Sequence, residues 1–186
     1  VGLLLPNIIN EFYARFANAL AILCADLGLD LVIHLTNDDP LREQQSLLRL
    51  QSLQAATVIL VPAPDPDATA ERFPTSMRLI ELIRSRQQAD VWGQLLIEDG
   101  ASIAAAVAHL VRIGRQRIAF IGAAPSLSSG RTRVAAFEAA LQSQGVKPFP
   151  ELMKTGPPGS EMGHRPMAKL RGLPAPPDPL PWGGVE

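Results

Sequence analysis

Three short stretches hold the residues best suited to contact a small polar molecule. Asn7, Asn10, Phe12 and Tyr13 form the first, Asn37 and Asp38 the second, and Ser126, Ser128, Ser129, Arg131 and Arg133 the third. Amide, hydroxyl and guanidinium groups supply forked hydrogen bonds, and aromatic faces cover C–H surface. That set suits binding of a polar, ring-shaped ligand. The residues do not all have equal claims. Phe12 is as well suited to an apolar staple at a helix start. Arg131 and Arg133 fall on different sides of a helical turn, so at most one of them serves a ligand.

Bond-breaking chemistry finds no comparable set. His34, His109 and His164 are far apart, without ligand spacing around them. Asp65 and Asp67 flank Pro66 and read as a solvated turn. No nucleophile elbow, phosphate-binding loop or dinucleotide fingerprint occurs. Cys24 is the single cysteine, which excludes an internal disulfide, and its place beside a helix stripe marks it as a packing thiol. Arg112, Arg115 and Arg117 read as positive charge at a helix C-terminus and in a solvated turn. No catalytic residue, metal or cofactor is expected.

Composition narrows the partners. The 186 residues carry a formal net charge of -1, so the chain lacks the cationic excess that displaces counterions from nucleic acid. No apolar run approaches the roughly 20 residues that cross a bilayer, and no basic-then-apolar leader opens the sequence. Val1 already stands inside an apolar run, as expected of a chain with residues missing upstream.

The elements that must position these residues alternate. Val1–Leu5 is a continuously apolar strand ended by Pro6, and Phe12, Phe16, Leu20, Leu23 and Leu27 mark a helix stopped by Gly28. Leu29–Leu35 is a second strand. Asp39 and Pro40 open a helix marked by Leu41, Leu47, Leu48, Leu50 and Leu53, and Thr57–Val61 is a third strand. Such alternation builds right-handed βαβ units on a parallel sheet. Beyond a loop at Pro64–Thr69, the pattern predicts a helix over Met77–Arg86 and a strand over Trp92–Ile97. A helix over Ala101–Ile113 and a strand over Ile118–Ile121 follow. A loop over Ser126–Gly130 then leads into a helix over Arg131–Gln144, a strand over Leu152–Thr155 and a helix over Ser160–Leu170. Prolines after Leu173 break every periodicity. The reading is an α/β chain of parallel sheets flanked by helices. Its domains are residues 1–98, a partial second subdomain at 99–172 and a proline-rich unstructured tail at 173–186.

On these residues the chain resembles the LacI/GalR family of transcriptional regulators. VGLLLPNIINEFYARFANAL is similar to the family's first strand, its Pro-Asp-x-x-Asn-Pro-Phe-Phe loop and its first helix, with Glu11 and Asn7 as departures. LVIHLTNDDPLREQQSLLRLQS is similar to the second strand and its helix. AVAHLVRIGRQRIAFIGAAPSLSSGRTRVAAFEAALQSQGV follows the Gly-His-x-x-Ile-Ala-x-Ile and Arg-x-Arg-x-x-Gly-Phe pattern, with Arg115 for His and Ala136 for Gly. Glu98-Asp99 stands at the family's Asp-Asn pair.

The resemblance implies two Rossmann-like subdomains of periplasmic-binding-protein type I, the second incomplete here. It implies a non-enzymatic, cytoplasmic core that dimerises and responds to a small-molecule effector such as a sugar. Operator DNA would be bound only through a helix-turn-helix headpiece absent from this chain. The ligand-binding residues carried over are Asn10, Phe12, Tyr13, Ser129 and Arg133, with Arg133 as the effector-contacting arginine. Asn37–Leu41 and the first helix correspond to a dimer surface. The segment between Arg84 and Trp92 is short and reads as lacking the family's Pro-Val-Val-x-x-Asp-Arg strand, and the family continues for about a hundred residues further, within ordinary domain sizes. The alternative is an exported periplasmic sugar-binding protein of the same fold.

Overall fold

The computed structural model describes residues 1–64, 76–86, 91–158 and 160–172. Asp65, Asp67 and the proline-rich segment 173–186 lie outside them. The chain divides into two compact units, Val1–Ile97 with Ser126–Ser128, and Glu98–Pro125 with the chain from Ser129 onward.

The first unit is built on one parallel sheet of five strands. These are β1 (Gly2–Leu5), β2 (Val32–Leu35), β3 (Thr57–Leu60), β4 (Arg78–Leu82) and β5 (Gly93–Leu95), in the order β2-β1-β3-β4-β5. β1 sits between β2 and β3, with Leu4 opposite His34 on one side and Leu60 on the other. That inner position explains its unbroken Leu run, because both of its faces are covered. Leu3 and Leu5 pack with Tyr13, Ala17 and Leu82, whereas Leu4 packs with Leu47, Leu50, Val58 and Leu79. The two sets come from helix α1 (Glu11–Asp26) on one face and helix α2 (Pro40–Ser52) on the other. α1 ends at Leu27, and Gly28 follows at φ +65, a left-handed turn that costs glycine nothing sterically.

Three expectations need correction here. Residues 78–82 form strand β4, not part of a helix over Met77–Arg86. Leu79, Ile80, Leu82 and Ile83 fit helical spacing and a buried strand equally well, and a short apolar run cannot separate the two. β4 pairs with β3 and β5, so the sheet is continuous where a strand seemed to be missing. The helix stripes are also rotated. α1 buries Tyr13, Ala17 and Cys24 and leaves Phe12, Leu23 and Leu27 exposed, and α2 buries Glu43 and Ser46 beside Leu47 and Leu50 while Leu41, Leu48 and Leu53 face outward. Small and polar side chains take those places because they allow close approach to the sheet or meet charged partners there.

The second unit has helix α3 (Gly100–Arg112), β6 (Phe120–Ala123), helix α4 (Ser128–Ser143), a 3-10 turn (Pro150–Leu152), β7 (Met153–Gly156) and helix α5 (Ser160–Arg171). β6 and β7 pair in parallel, Phe120 opposite Met153. Val107, Ile118, Phe137, Ala140 and Leu141 make the core, with the Phe120 and Phe137 rings 5.1 Å apart. β6 begins two residues later than its apolar run predicts. α4 begins at Ser128, so the expected loop at Ser126–Gly130 is partly helical. Gly130 permits this, because it lies against the carbonyl oxygens of Ala123 and Ala124.

One buried acid gives the first unit a titration signature. Glu81 on β4 is fully buried, and burial pushes its carboxyl above the ordinary 4.5. The Arg86 amide and charge and the Gln94 amide oppose that rise, while the Glu43 charge adds to it. A carboxyl whose folded pKa exceeds its unfolded one stabilises the fold when protonated. That contribution is full below about 4.5 and is lost as pH rises through the folded pKa. Denaturant unfolding of wild type and Glu81→Gln across pH should therefore show wild type losing ground to the variant as pH rises from 4.5. A gap that stays constant with pH would contradict the assignment.

Candidate functional site

In a parallel α/β sheet, ligands meet the loops beyond the carboxyl ends of the strands. In the first unit these loops are built by side-chain hydrogen bonds. After β1, Asn7 Oδ1 accepts from the amides of Ile9 (3.1 Å) and Asn10 (3.0 Å). Asn10 Oδ1 accepts from the Phe12 amide at 3.0 Å and caps α1. Phe12 is 44% exposed, packs edge-on against Tyr13 at 5.7 Å and stacks on Phe16 at 6.4 Å. Tyr13 belongs to the core with Leu3 and Leu5.

The exits of the neighbouring strands are tied by buried charge. Asn37 and Asp38 follow β2 with φ of 54° and 58°, a left-handed pair that Asn and Asp tolerate. This turn sets Asp38 Oδ1 2.5 Å from Arg84 Nη1, which also donates to the Pro62 carbonyl beyond β3 at 3.1 Å. Ile83 precedes Arg84 at φ 66°, costly for a β-branched residue by about 1–3 kcal/mol and held by its amide on the Leu95 carbonyl. Glu43 of α2 accepts from the Ala63 amide at 2.6 Å and pairs with Arg86. Glu81 accepts from the Arg86 amide at 3.1 Å and from Gln94 Nε2 at 2.8 Å. Arg84, Glu43 and Glu81 are nearly inaccessible, so the loops after β2, β3 and β4 share one polar frame. The sequence reading did not single out Glu43, Glu81, Arg84 or Arg86. Charged residues flanking and interrupting an apolar run were the available signal.

In the second unit, Ser129 and Arg133 lie one turn apart on α4, both half-buried. Arg133 Nε donates to Asp99 Oδ2 at 2.5 Å. Asp99 stands at the N-cap of α3, yet its side chain makes no capping bond there. Arg131 is exposed and donates to the Pro125 carbonyl at 3.2 Å, so the two arginines do serve different surroundings. The structure thus brings Asn10, Phe12 and Tyr13 together in the first unit, and Ser129 with Arg133 in the second. Among the described residues no cluster of three His, Cys, Asp or Glu could hold a metal. Nor is any described helix long and apolar enough to cross a membrane.

No family model matches the chain. The sucrose operon repressor of Klebsiella pneumoniae is 26% identical over 171 residues, covering 91% of this chain and 51% of that protein. The chain therefore spans about half the length of this relative. A crystal structure of a LacI family transcriptional regulator from Lactobacillus casei with bound glucose superposes with a TM-score of 0.75 at 24% identity, covering 93% of this chain and 65% of that one. In fold the chain is similar to this LacI family regulator. The Cra transcriptional dual regulator from Pseudomonas putida, solved in complex with fructose 1-phosphate, gives a TM-score of 0.75 at 26% identity over 93% of this chain and 65% of its own. The five-stranded parallel sheet and the smaller parallel pair are the architecture that the resemblance implies.

Proposed function

We propose that the chain is the effector-sensing core of a sugar-responsive transcriptional repressor, non-enzymatic and cytoplasmic. Kinship with regulators over more than nine-tenths of its length supports this most directly. The names those relatives carry favour a regulator over an exported sugar carrier. Asn10, Phe12, Tyr13, Ser129 and Arg133 are the proposed effector contacts. Phe12 offers an exposed ring face to sugar C–H groups, and Arg133 offers forked donors to hydroxyls. Tyr13 is the most buried of the five and packs edge-on against Phe12, so its contact would be the smallest. Operator binding is assigned to a headpiece outside these residues.

The first unit also offers a surface for a second copy. Ile22, Leu23 and Leu27 on and after α1, Ile33 on the edge strand β2, and Leu41 on α2 are all exposed apolar side chains. Isolated exposed leucines are ordinary, but apolar side chains on the edge strand and on both helices that flank it in sequence fit an isologous dimer.

The test is a thermal melt of the chain against neutral sugars. A concentration-dependent rise in Tm is expected, because a ligand that binds only the folded state stabilises it. Replacing Arg133 by Ala should weaken that binding by about 2 kcal/mol or more, the worth of a charged hydrogen bond. Equal affinity in the two proteins would remove Arg133 from the site.

A further inference from the structure

We propose that Glu81, Arg86 and Glu43 act as a proton-driven switch in the first unit: one guanidinium serves two buried carboxylates, and it is drawn from Glu43 toward Glu81 when Glu81 loses its proton to solvent. The switch stands whether or not the chain senses an effector.

The charges of the polar frame do not balance. Among the described residues, Asp38, Glu43 and Glu81 bring three carboxylates to it, and Arg84 and Arg86 bring two guanidiniums. Arg84 is committed to Asp38 and to the Pro62 carbonyl. The Arg86 guanidinium pairs with Glu43. Glu81 receives neutral donors, the Arg86 amide at 3.1 Å and Gln94 Nε2 at 2.8 Å. Its register partners on β3 and β5 are Leu60 and Gln94, neither of which ionises. The charges that act on it therefore come from α2, as Glu43, and from the segment after β4, as Arg86. A buried carboxyl without a partner charge of its own holds its proton more tightly. Burial accordingly raises the Glu81 carboxyl above its ordinary value, and the Glu43 charge pushes the same way.

The two protonation states ask different things of Arg86. Protonated, Glu81 is neutral and leaves the guanidinium to Glu43, whose other oxygen holds the Ala63 amide. Ionised, Glu81 attracts the guanidinium and repels Glu43. The segment that carries Arg86 is poised to yield, since Ile83, earlier in it, stores backbone strain at φ 66°. One proton on β4 thereby reaches the loops after both β3 and β4.

Nuclear magnetic resonance titration of the whole chain from about pH 4 to about pH 8 tests the switch. The side-chain carboxyl carbon follows Glu81, and backbone amides follow Ala63 and Arg86. In wild type both amides should shift with the midpoint of the Glu81 carboxyl, above about 4.5. The Arg86 amide responds directly, because Glu81 accepts from it, whereas the Ala63 amide is bonded to Glu43 and responds through Arg86. Glu81→Gln should remove the step at that midpoint from both amides. Arg86→Gln should remove it from Ala63 while Glu81 still titrates. An Ala63 amide unmoved at the Glu81 midpoint in wild type, or a step that persists at Ala63 in Arg86→Gln, would overturn the switch. If Arg86→Gln does not melt cooperatively, wild type and Glu81→Gln decide, and an Ala63 curve of the same shape in both overturns it.

Discussion

Replacing Glu43 by Ala is expected to lower the unfolding free energy by about 3–5 kcal/mol, the range for removing one partner of a buried ion pair. The side chain of Glu43 is 3% exposed and that of Arg86 is 21% exposed, so water reaches the pair poorly. The loss has two parts. Arg86 would keep its charge without this carboxylate, and the Ala63 amide would lose the acceptor that holds the loop after β3. Glu43→Gln separates them. Its amide oxygen can still accept from Ala63, so the glutamine variant should recover part of the loss. Urea unfolding of the three proteins measures this, and equal midpoints would show that the frame carries no stability. Since the loops after β2, β3 and β4 share the frame, any ligand affinity should fall along with stability.

The second large effect is expected at Gly130. An added Cβ would overlap the Ala124 carbonyl oxygen and crowd that of Ala123, both fixed backbone atoms at the end of β6. Alanine would otherwise favour helix by about 1 kcal/mol, yet overpacking against rigid backbone costs about 1–3 kcal/mol and sometimes more. With the Cβ overlapping fixed backbone, the cost falls at the upper end of that range, so Gly130→Ala should destabilise the second unit by about 1–2 kcal/mol net. The first turn of α4 would have to move away from β6, taking Ser129 with it. Thermal unfolding and sugar titration should both respond, and a variant with unchanged Tm would show that α4 starts elsewhere.

Unequal legibility in the sequence has physical causes. β1 was readable because an inner parallel strand buries both faces, which leaves a bare Leu run. α1, α2 and α3 were readable from their punctuation, Gly28, Asp39 and Gly114. Their buried faces were less so, since apolar residues lie all around α1, and the buried Ala17 and Cys24 are small. β4 was misread because its five residues carry no turn signal that separates strand from helix. Glu81 interrupts its apolar residues, and Arg86 and Gln94 satisfy it inside the protein. Arg133 was a candidate from its residue type beside the serine loop, and the resemblance chose it over Arg131. Its partner Asp99 could be placed at the junction of the two units, but no spacing rule joins residues 34 apart.

The central claim is that this chain holds a sugar on the residues named above. Backbone amide shifts of the isotopically labelled chain, recorded as sucrose, glucose or fructose is added, test it most directly. The account predicts saturable shifts at Asp99 and Ser129–Arg133, and at the Asn10–Tyr13 turn, for at least one of these sugars. Spectra unchanged by any of the three, or shifts confined to other residues, would contradict it.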